Sequence, residues 1–301
     1  MIVGFFDLAQ TSFRGTRVAK CACVHRSLLT LSLLVACGRE PAPEASTAPL
    51  TVPSTPTRAP GETLGSLDEG RAIHVRVLPA PVDADPDRVV TLRVDGFPEL
   101  DGVEALDAAF VGDGVAVVTT DHRRRWYAQP GAAPVVLDER VEPPLSSEGT
   151  RLAYARGEMP FYAIVRLDVT VGTPEAITDE ARSCWSPAIA ADGSLAYVCT
   201  QADATNQGRP TLFVRDGQAT GAQGERALPT ERFPTSPVAP RFDGARLAFG
   251  DEAGAVVVDA RTGALLAVDE EAGAVFEVNG GLVVTGVDGT LRPLDVAEVS
   301  R

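Results

Sequence analysis

Histidine and cysteine are scarce in this sequence, which has 3 and 5 of them among 301 residues. A Ser-His-Asp or Cys-His arrangement needs a histidine beside its nucleophile, and a zinc site usually needs several histidine or cysteine ligands. Only His74 and His122 follow residue 37, and they lie on separate segments. We therefore predict no catalytic constellation, no metal site and no bound cofactor.

Positive charge is also in short supply. The formal net charge is −14. The first 37 residues hold one aspartate and four basic residues, a net +3, so the remainder carries about −17. No lysine occurs after Lys20. Because nucleic acids select a basic protein surface, the folded part is not expected to bind nucleic acid.

No apolar run in the sequence has the length of a membrane span. The run at residues 27–36 would rise about 15 Å as a helix, half of a bilayer core of about 30 Å. It follows Arg17, Lys20 and Arg26 and ends in small residues. A basic stretch followed by a short apolar stretch and small residues is the pattern of a secretory signal peptide, predicted here for residues 1–36.

The signal ends in Leu34-Val35-Ala36-Cys37, which resembles the lipobox of bacterial lipoproteins. The resemblance implies cleavage between Ala36 and Cys37, a diacylglycerol on the Cys37 thiol and an acylated new N-terminus. Several acyl chains exceed the two-signal threshold for stable membrane anchoring. Gly38 stands where lipoproteins of the inner membrane often carry aspartate, which favours the outer membrane. A chance cysteine after an apolar run is the alternative.

Residues 1–23 make this signal unusually long. A start at Val24 through a GTG codon would give a signal of ordinary length, so we interpret residues 1–23 as an upstream over-extension. A genuine long basic region is the alternative. Residues 37–69 follow the signal and begin as a stretch rich in proline, alanine, serine and threonine. Such a composition cannot bury a core, so the sequence predicts a disordered tether between the lipid and the folded body.

Residues 70–301 are expected to form an all-β domain, because short apolar or alternating runs are separated by glycine, aspartate and proline turns. One motif recurs in "EGTRLAY" (148–154), "DGSLAY" (192–197) and "DGARLAF" (243–249), with looser versions near residues 114 and 280. Units of about 40 residues with four strands each are the signature of a β-propeller. The sequence therefore predicts five to six degenerate four-stranded blades. A β-sandwich is the alternative.

The motifs "WSPAIAADGSLAY" and "PPLSSEGTRLAY" resemble the repeats of TolB-like and WD-repeat propellers. The similarity extends over residues 104–301 in five units and identifies blades without identifying a ligand. Residues 71–100 are expected to form a sixth blade or to close the ring with the C-terminus.

Cys184 and Cys199 lie on the two strands that flank the turn at Asp192 and Gly193, at equal distances from it. Cysteines placed opposite each other across a hairpin form a disulfide in an oxidising compartment. Two buried thiols in a shifted register are the alternative.

These patterns favour a membrane-anchored envelope lipoprotein whose propeller is a non-catalytic binding or scaffolding module. The resemblance to TolB-like repeats implies an envelope protein or a peptide as its partner, besides the membrane that Cys37 would bind. The alternative is an enzyme that acts on glycans or peptides through acidic residues of the propeller channel.

Overall fold

The computed structural model describes residues 57–68, 70–78, 89–120, 125–201, 208–219, 224–235, 238–278, 281–286 and 289–294. The predicted signal peptide, its cleavage site at Ala36 and Cys37, and the tether up to residue 56 lie outside these residues.

The described residues form 22 strands and two short 3-10 turns, at Pro98–Leu100 and Glu180–Arg182. The strands before residue 140 are β1 (Glu62–Asp68), β2 (Arg71–Val77), β3 (Val90–Val94), β4 (Glu104–Val111), β5 (Gly114–Thr119), β6 (Arg125–Ala128) and β7 (Val135–Asp138). The next eight are β8 (Val141–Glu148), β9 (Arg151–Glu158), β10 (Phe161–Asp168), β11 (Glu175–Ala176), β12 (Cys184–Ile189), β13 (Leu195–Gln201), β14 (Arg209–Arg215) and β15 (Glu225–Ala227). The last seven are β16 (Arg241–Asp243), β17 (Arg246–Asp251), β18 (Gly254–Asp259), β19 (Leu265–Asp269), β20 (Ala272–Val278), β21 (Gly281–Gly286) and β22 (Leu291–Pro293).

The central strands of each sheet are buried on both faces. On β9, Leu152 and Tyr154 belong to one apolar cluster, whereas Ala153 and Ala155 belong to the next. Alternate side chains of a strand point to opposite faces of its sheet. Each sheet is therefore packed between two neighbours, and the large and small residues of the repeated motif serve different interfaces.

The innermost strands of the sheets close a ring. β1 contacts β4, β4 contacts β8, and the series continues through β12, β16 and β20 back to β1. Six clusters of buried apolar side chains fill the six gaps between neighbouring units. This arrangement confirms the predicted β-propeller, here with six blades. The sandwich alternative is wrong, because the two sheets of a β-sandwich share one core, whereas this domain has six separate apolar clusters between its blades.

Blades one and two are fused into a single seven-stranded sheet, in the order β1 to β7. Glu104 and Ala105, the first residues of β4, pair with β3 as the outermost strand of blade one. After a bulge beyond Ala105, the rest of β4 pairs with β5 as the innermost strand of blade two. Blades three, four and five are separate four-stranded sheets, and β20, β21 and β22 form blade six.

The folded domain begins earlier than the predicted boundary at residue 70. β1 occupies Glu62–Asp68, within the segment assigned to the tether. This strand has only two apolar side chains to bury, Leu64 and Leu67, so its composition resembles that of a linker. At Gly65 an added Cβ would lie 2.8 Å from Val75 Cγ1, so a small residue is needed there. With few apolar residues and a required glycine, β1 lacks the alternating pattern by which strands are predicted from sequence.

The ring is closed by apolar packing between the first and last blades. Leu64, Leu67 and Ala72 of blade one share a cluster with Phe276 and Val283 of blade six. In the part of the chain that the structure describes, no strand of blade six pairs with a strand of blade one. We call this contact the seam.

Cys184 and Cys199 face each other across the β12–β13 hairpin and are joined by a disulfide. Their Cα atoms are 4.1 Å apart, and both residues are fully buried. The pairing agrees with the one expected from the hairpin spacing.

His74 lies on β2 opposite Leu64 of the seam. Its side chain is buried, and neither ring nitrogen has a hydrogen-bond partner among the described residues. Burial lowers the pKa of His74 below its ordinary value of 6.5; nearby Arg93 acts in the same direction, and Asp95 and Glu62 oppose it. The propeller therefore folds with the His74 imidazole in its neutral form.

Replacing His74 by leucine should stabilise the protein by about 1–3 kcal/mol, the usual cost of an unsatisfied buried polar group. The folded pKa lies below the unfolded one, so the wild type should lose stability as the pH falls below 6.5 and the unfolded chain takes up the proton. Urea unfolding between pH 5 and 8 measures both effects. Parallel pH profiles for the wild type and His74→Leu would contradict this assignment.

Candidate functional site

The two faces of the ring differ in their connections, because antiparallel strands alternate in direction. We define the cavity face by the turns between first and second strands, at residues 112–113, 149–150, 191–194 and 244–245. The tether face is the opposite one. It holds the start of β1 at Glu62 and the turns between second and third strands, including Met159 and Pro160.

Hydrogen bonds across the blade gaps fix the turns of the cavity face. Gly112 N donates to Gly149 O at 2.7 Å, which joins the turns of blades two and three. Arg151 Nη1 donates to Ala191 O at 2.7 Å, which joins blades three and four. Arg226 Nη2 donates to Ala260 O at 2.6 Å, which joins blades four and five. The turns therefore form a connected rigid frame.

A cavity of about 490 Å³ opens on this face where blades three, four and five meet. Its polar wall and its apolar floor are both built from strand ends and from the turns that connect them. The wall includes Glu148, Asp192, Ser194, Arg226 and Arg261, and the floor includes Ala190, Val214, Phe242, Ala245 and Ala260.

Glu148 is the distinctive group of this cavity. Its side chain is half-buried and takes part in no ion pair or side-chain hydrogen bond within the described ranges. Burial raises the pKa of Glu148; Arg241 opposes the rise, and Asp68 adds to it. A partly dehydrated carboxylate without a direct partner favours a cation.

Two other charged groups of the wall, Asp192 and Arg226, serve the frame. Asp192 accepts the backbone N–H of Ser194 at 2.8 Å, which closes its own turn. The Arg226 guanidinium donates to the carbonyls of Ala260 and Arg261. Glu148 is thus the wall carboxylate available to a ligand, and the apolar floor can receive an aliphatic stem that ends in a positive charge.

Asp107, on the innermost strand β4, is a second carboxylate with a shifted pKa. Its Oδ2 accepts Leu145 N of blade three at 2.7 Å, and its Oδ1 accepts Ala108 N at 2.8 Å. Burial raises the pKa of Asp107 to about 6, against the effect of these two hydrogen bonds. Both oxygens are engaged in holding neighbouring inner strands together, so the role of Asp107 is structural.

The sequence identified the turns of the cavity face but not the cavity. Gly149, Gly193 and Gly244 have φ values of 55°, 86° and 54°, the left-handed conformation that the repeated motif predicts. Glu148 was recognised only as the acidic residue before such a glycine. Asp192 and Asp243 occupy the same place in the next two units, so only the ring reveals which of these residues border a cavity.

No group of three or more histidine, cysteine, aspartate or glutamate residues in the described ranges is placed to hold a metal ion. Within the same ranges, no helix is long and apolar enough to cross a membrane.

No protein-family model matches the sequence, and no curated protein matches it either. Among solved structures, the chain is similar to TolB from Acinetobacter baumannii, at 15% identity and a TM-score of 0.44, over 76% of this chain and 65% of that one. It is similar to the β-propeller domain of the Trilobed protease from Pyrococcus furiosus, at 13% identity and a TM-score of 0.46, over 79% and 84% of the two chains. A chain of a nidogen/laminin complex matches at 12% identity and a TM-score of 0.46, over 78% and 88%. At such identities the similarities say nothing of what this chain binds.

We expect Asp107→Asn to flatten the pH dependence of stability between pH 5 and 8. The folded pKa of about 6 exceeds the ordinary value of 3.8, so ionisation of Asp107 costs folding free energy as the pH rises through 6. The cost in the parent protein should be on the order of 2 kcal/mol. Chemical unfolding should compare the two proteins in a His74→Leu background, where the imidazole no longer titrates. An unchanged slope would show that Asp107 is solvated.

Proposed function

We propose that this protein is a lipid-anchored envelope protein whose propeller is a non-catalytic binding module. The module takes up a basic side chain of a peptide or of a partner protein in the cavity between blades three, four and five. The observation that carries the proposal is Glu148, a half-buried carboxylate without an ion-pair partner among the described residues, above an apolar floor.

The shape of the cavity supports a lysine or arginine side chain. Such side chains bury an aliphatic stem along apolar surface while the charged end reaches a polar group. Here Val214 and Phe242 offer the apolar surface, and Glu148 offers the charge. The turns around them are tied by hydrogen bonds between blades, so the site is preorganised and binding orders few protein groups.

The overall charge supports a cationic partner. The chain after residue 37 carries about −17, and an acidic surface attracts positively charged partners and speeds their association. This attraction extends over roughly one Debye length, about 8 Å at physiological salt. Binding should therefore weaken as salt is added.

The anchor is the second part of the proposal. The Leu34-Val35-Ala36-Cys37 motif supports lipidation of Cys37 in the cell envelope, with the outer membrane favoured by Gly38. From Cys37 to the start of β1 at Glu62 there are 25 residues, which span at most about 80 to 90 Å when fully extended. The module would thus bind its partner close to a membrane.

Cys37→Ala should release the protein from membranes. The thiol is the proposed attachment point, and without acyl chains nothing else in the proposal holds the domain to lipid. Fractionation of cells and mass spectrometry of the purified protein measure the change, with Cys184→Ala/Cys199→Ala as a control that removes the disulfide and keeps Cys37. A Cys37→Ala variant that stays membrane-bound after removal of its signal peptide would contradict the anchor.

Glu148→Gln should weaken the binding of lysine- or arginine-containing peptides about ten- to hundred-fold, because an ion-paired hydrogen bond is worth about 1.5–3 kcal/mol. The probe is an array of decapeptides in which each basic residue is paired with a norleucine version, followed by calorimetry on the best sequence. Asp113→Asn is the matched control, since Asp113 occupies an equivalent turn in blade two, outside the cavity.

Equal binding of basic and norleucine peptides, or an equal effect of the two substitutions, would refute the assignment of the cavity. Turnover of peptides or of a glycan library by the wild type would refute the non-catalytic role and favour the enzyme alternative.

A further inference from the structure

Two large apolar side chains project from one hairpin on the tether face. Met159 and Phe161 flank Pro160 in the β9–β10 turn and are 76% and 57% exposed. Strand pairing continues to the tip, where Phe161 is opposite Glu158. Gly157 N also donates to Arg140 O at 2.9 Å. The two side chains are therefore held out on a stiff hairpin. We call this pair the hairpin tip.

The chain enters the domain on the same face as the hairpin tip. Arg93 Nη2 donates to Thr57 O at 2.8 Å, which holds the residues before β1 against the ring. Arg58 Nη1 donates to Gly289 O of the β21–β22 turn at 3.5 Å. That turn and the β9–β10 turn both join the second and third strands of a blade. The segment that leads back to Cys37 thus leaves from the face opposite the cavity.

We propose that the tether face lies against the lipid surface, with Met159 and Phe161 in contact with it and the cavity turned away. The inference rests on the lipid anchor of the proposed function. An anchor attached on this side brings this face to the membrane first, and an apolar hairpin tip can enter the interfacial layer. The net charge of about −17 disfavours anionic headgroups, so the matching surface is zwitterionic.

Tryptophan fluorescence in vesicles tests this orientation. Full-length lipidated Phe161→Trp is reconstituted into phosphatidylcholine vesicles that carry brominated acyl chains. Its emission should shift to the blue and be quenched more than that of the wild type, whose two native tryptophans give the background. Replacing a third of the lipid by phosphatidylglycerol should reduce the quenching.

Val171→Trp is the matched control. Val171 is 72% exposed and lies in the turn between β10 and β11, on the cavity face of the same blade. Its emission should match that of the solution form. Equal quenching of both variants, or quenching of Val171→Trp alone, would overturn the proposed orientation. A hairpin tip that contacts a protein instead would leave Phe161→Trp unquenched in pure lipid vesicles, which also overturns it.

Mass spectrometry of the reconstituted samples separates the two proposals. Acylated Cys37 with an unquenched Phe161→Trp overturns the lipid contact and leaves the anchor standing. An unmodified Cys37 overturns the anchor and the lipid contact together, and peptide binding at Glu148 is unaffected by either result.

Discussion

No blade of this ring can bury its own apolar surface. The central strands place large side chains such as Leu152 and Tyr154 on one face and small ones such as Ala153 and Ala155 on the other. Each face needs a neighbouring blade to exclude water, so the six interfaces are mutually dependent. The seam, made of five buried apolar residues from blades one and six, completes the set. Closure of the ring therefore contributes to the stability of every blade.

Closure also brings the turns of different blades into contact, and arginine is suited to the joints between them. The Arg166 guanidinium donates to the carbonyls of Gly193 and Gly217 in the next blade, and Arg226 donates to two carbonyls of the blade after that. A planar group with several fixed donors can hold two carbonyls at once, which a lysine ammonium does less specifically. The frame around the cavity thus depends on arginine side chains that donate hydrogen bonds to the neighbouring blade.

The repeated turn motif was sufficient to predict the blades at residues 104–301, because its glycines need a left-handed backbone and its strands alternate in a regular way. Blade one was harder to recognise. Gly70 adopts the same conformation, with φ of 82°, but the strand before it offers few apolar residues. The cavity was beyond reach for a different reason. Glu148 is at least 93 residues from Arg241 and Phe242 in the sequence, and only the closed ring brings them close together. No local sequence pattern encodes that proximity.

The shared strand β4 has a consequence for how the ring comes apart. Blades one and two form one continuous sheet, whereas the described strands of blade six form a separate three-stranded sheet. Local opening follows the boundaries of cooperative units. We therefore expect blades one and two to exchange their amide hydrogens as one unit, and blade six to detach first when the seam opens. Blades one and two should thus be the more stable part of the domain and blade six the less stable part, although the two parts pack against each other at the seam.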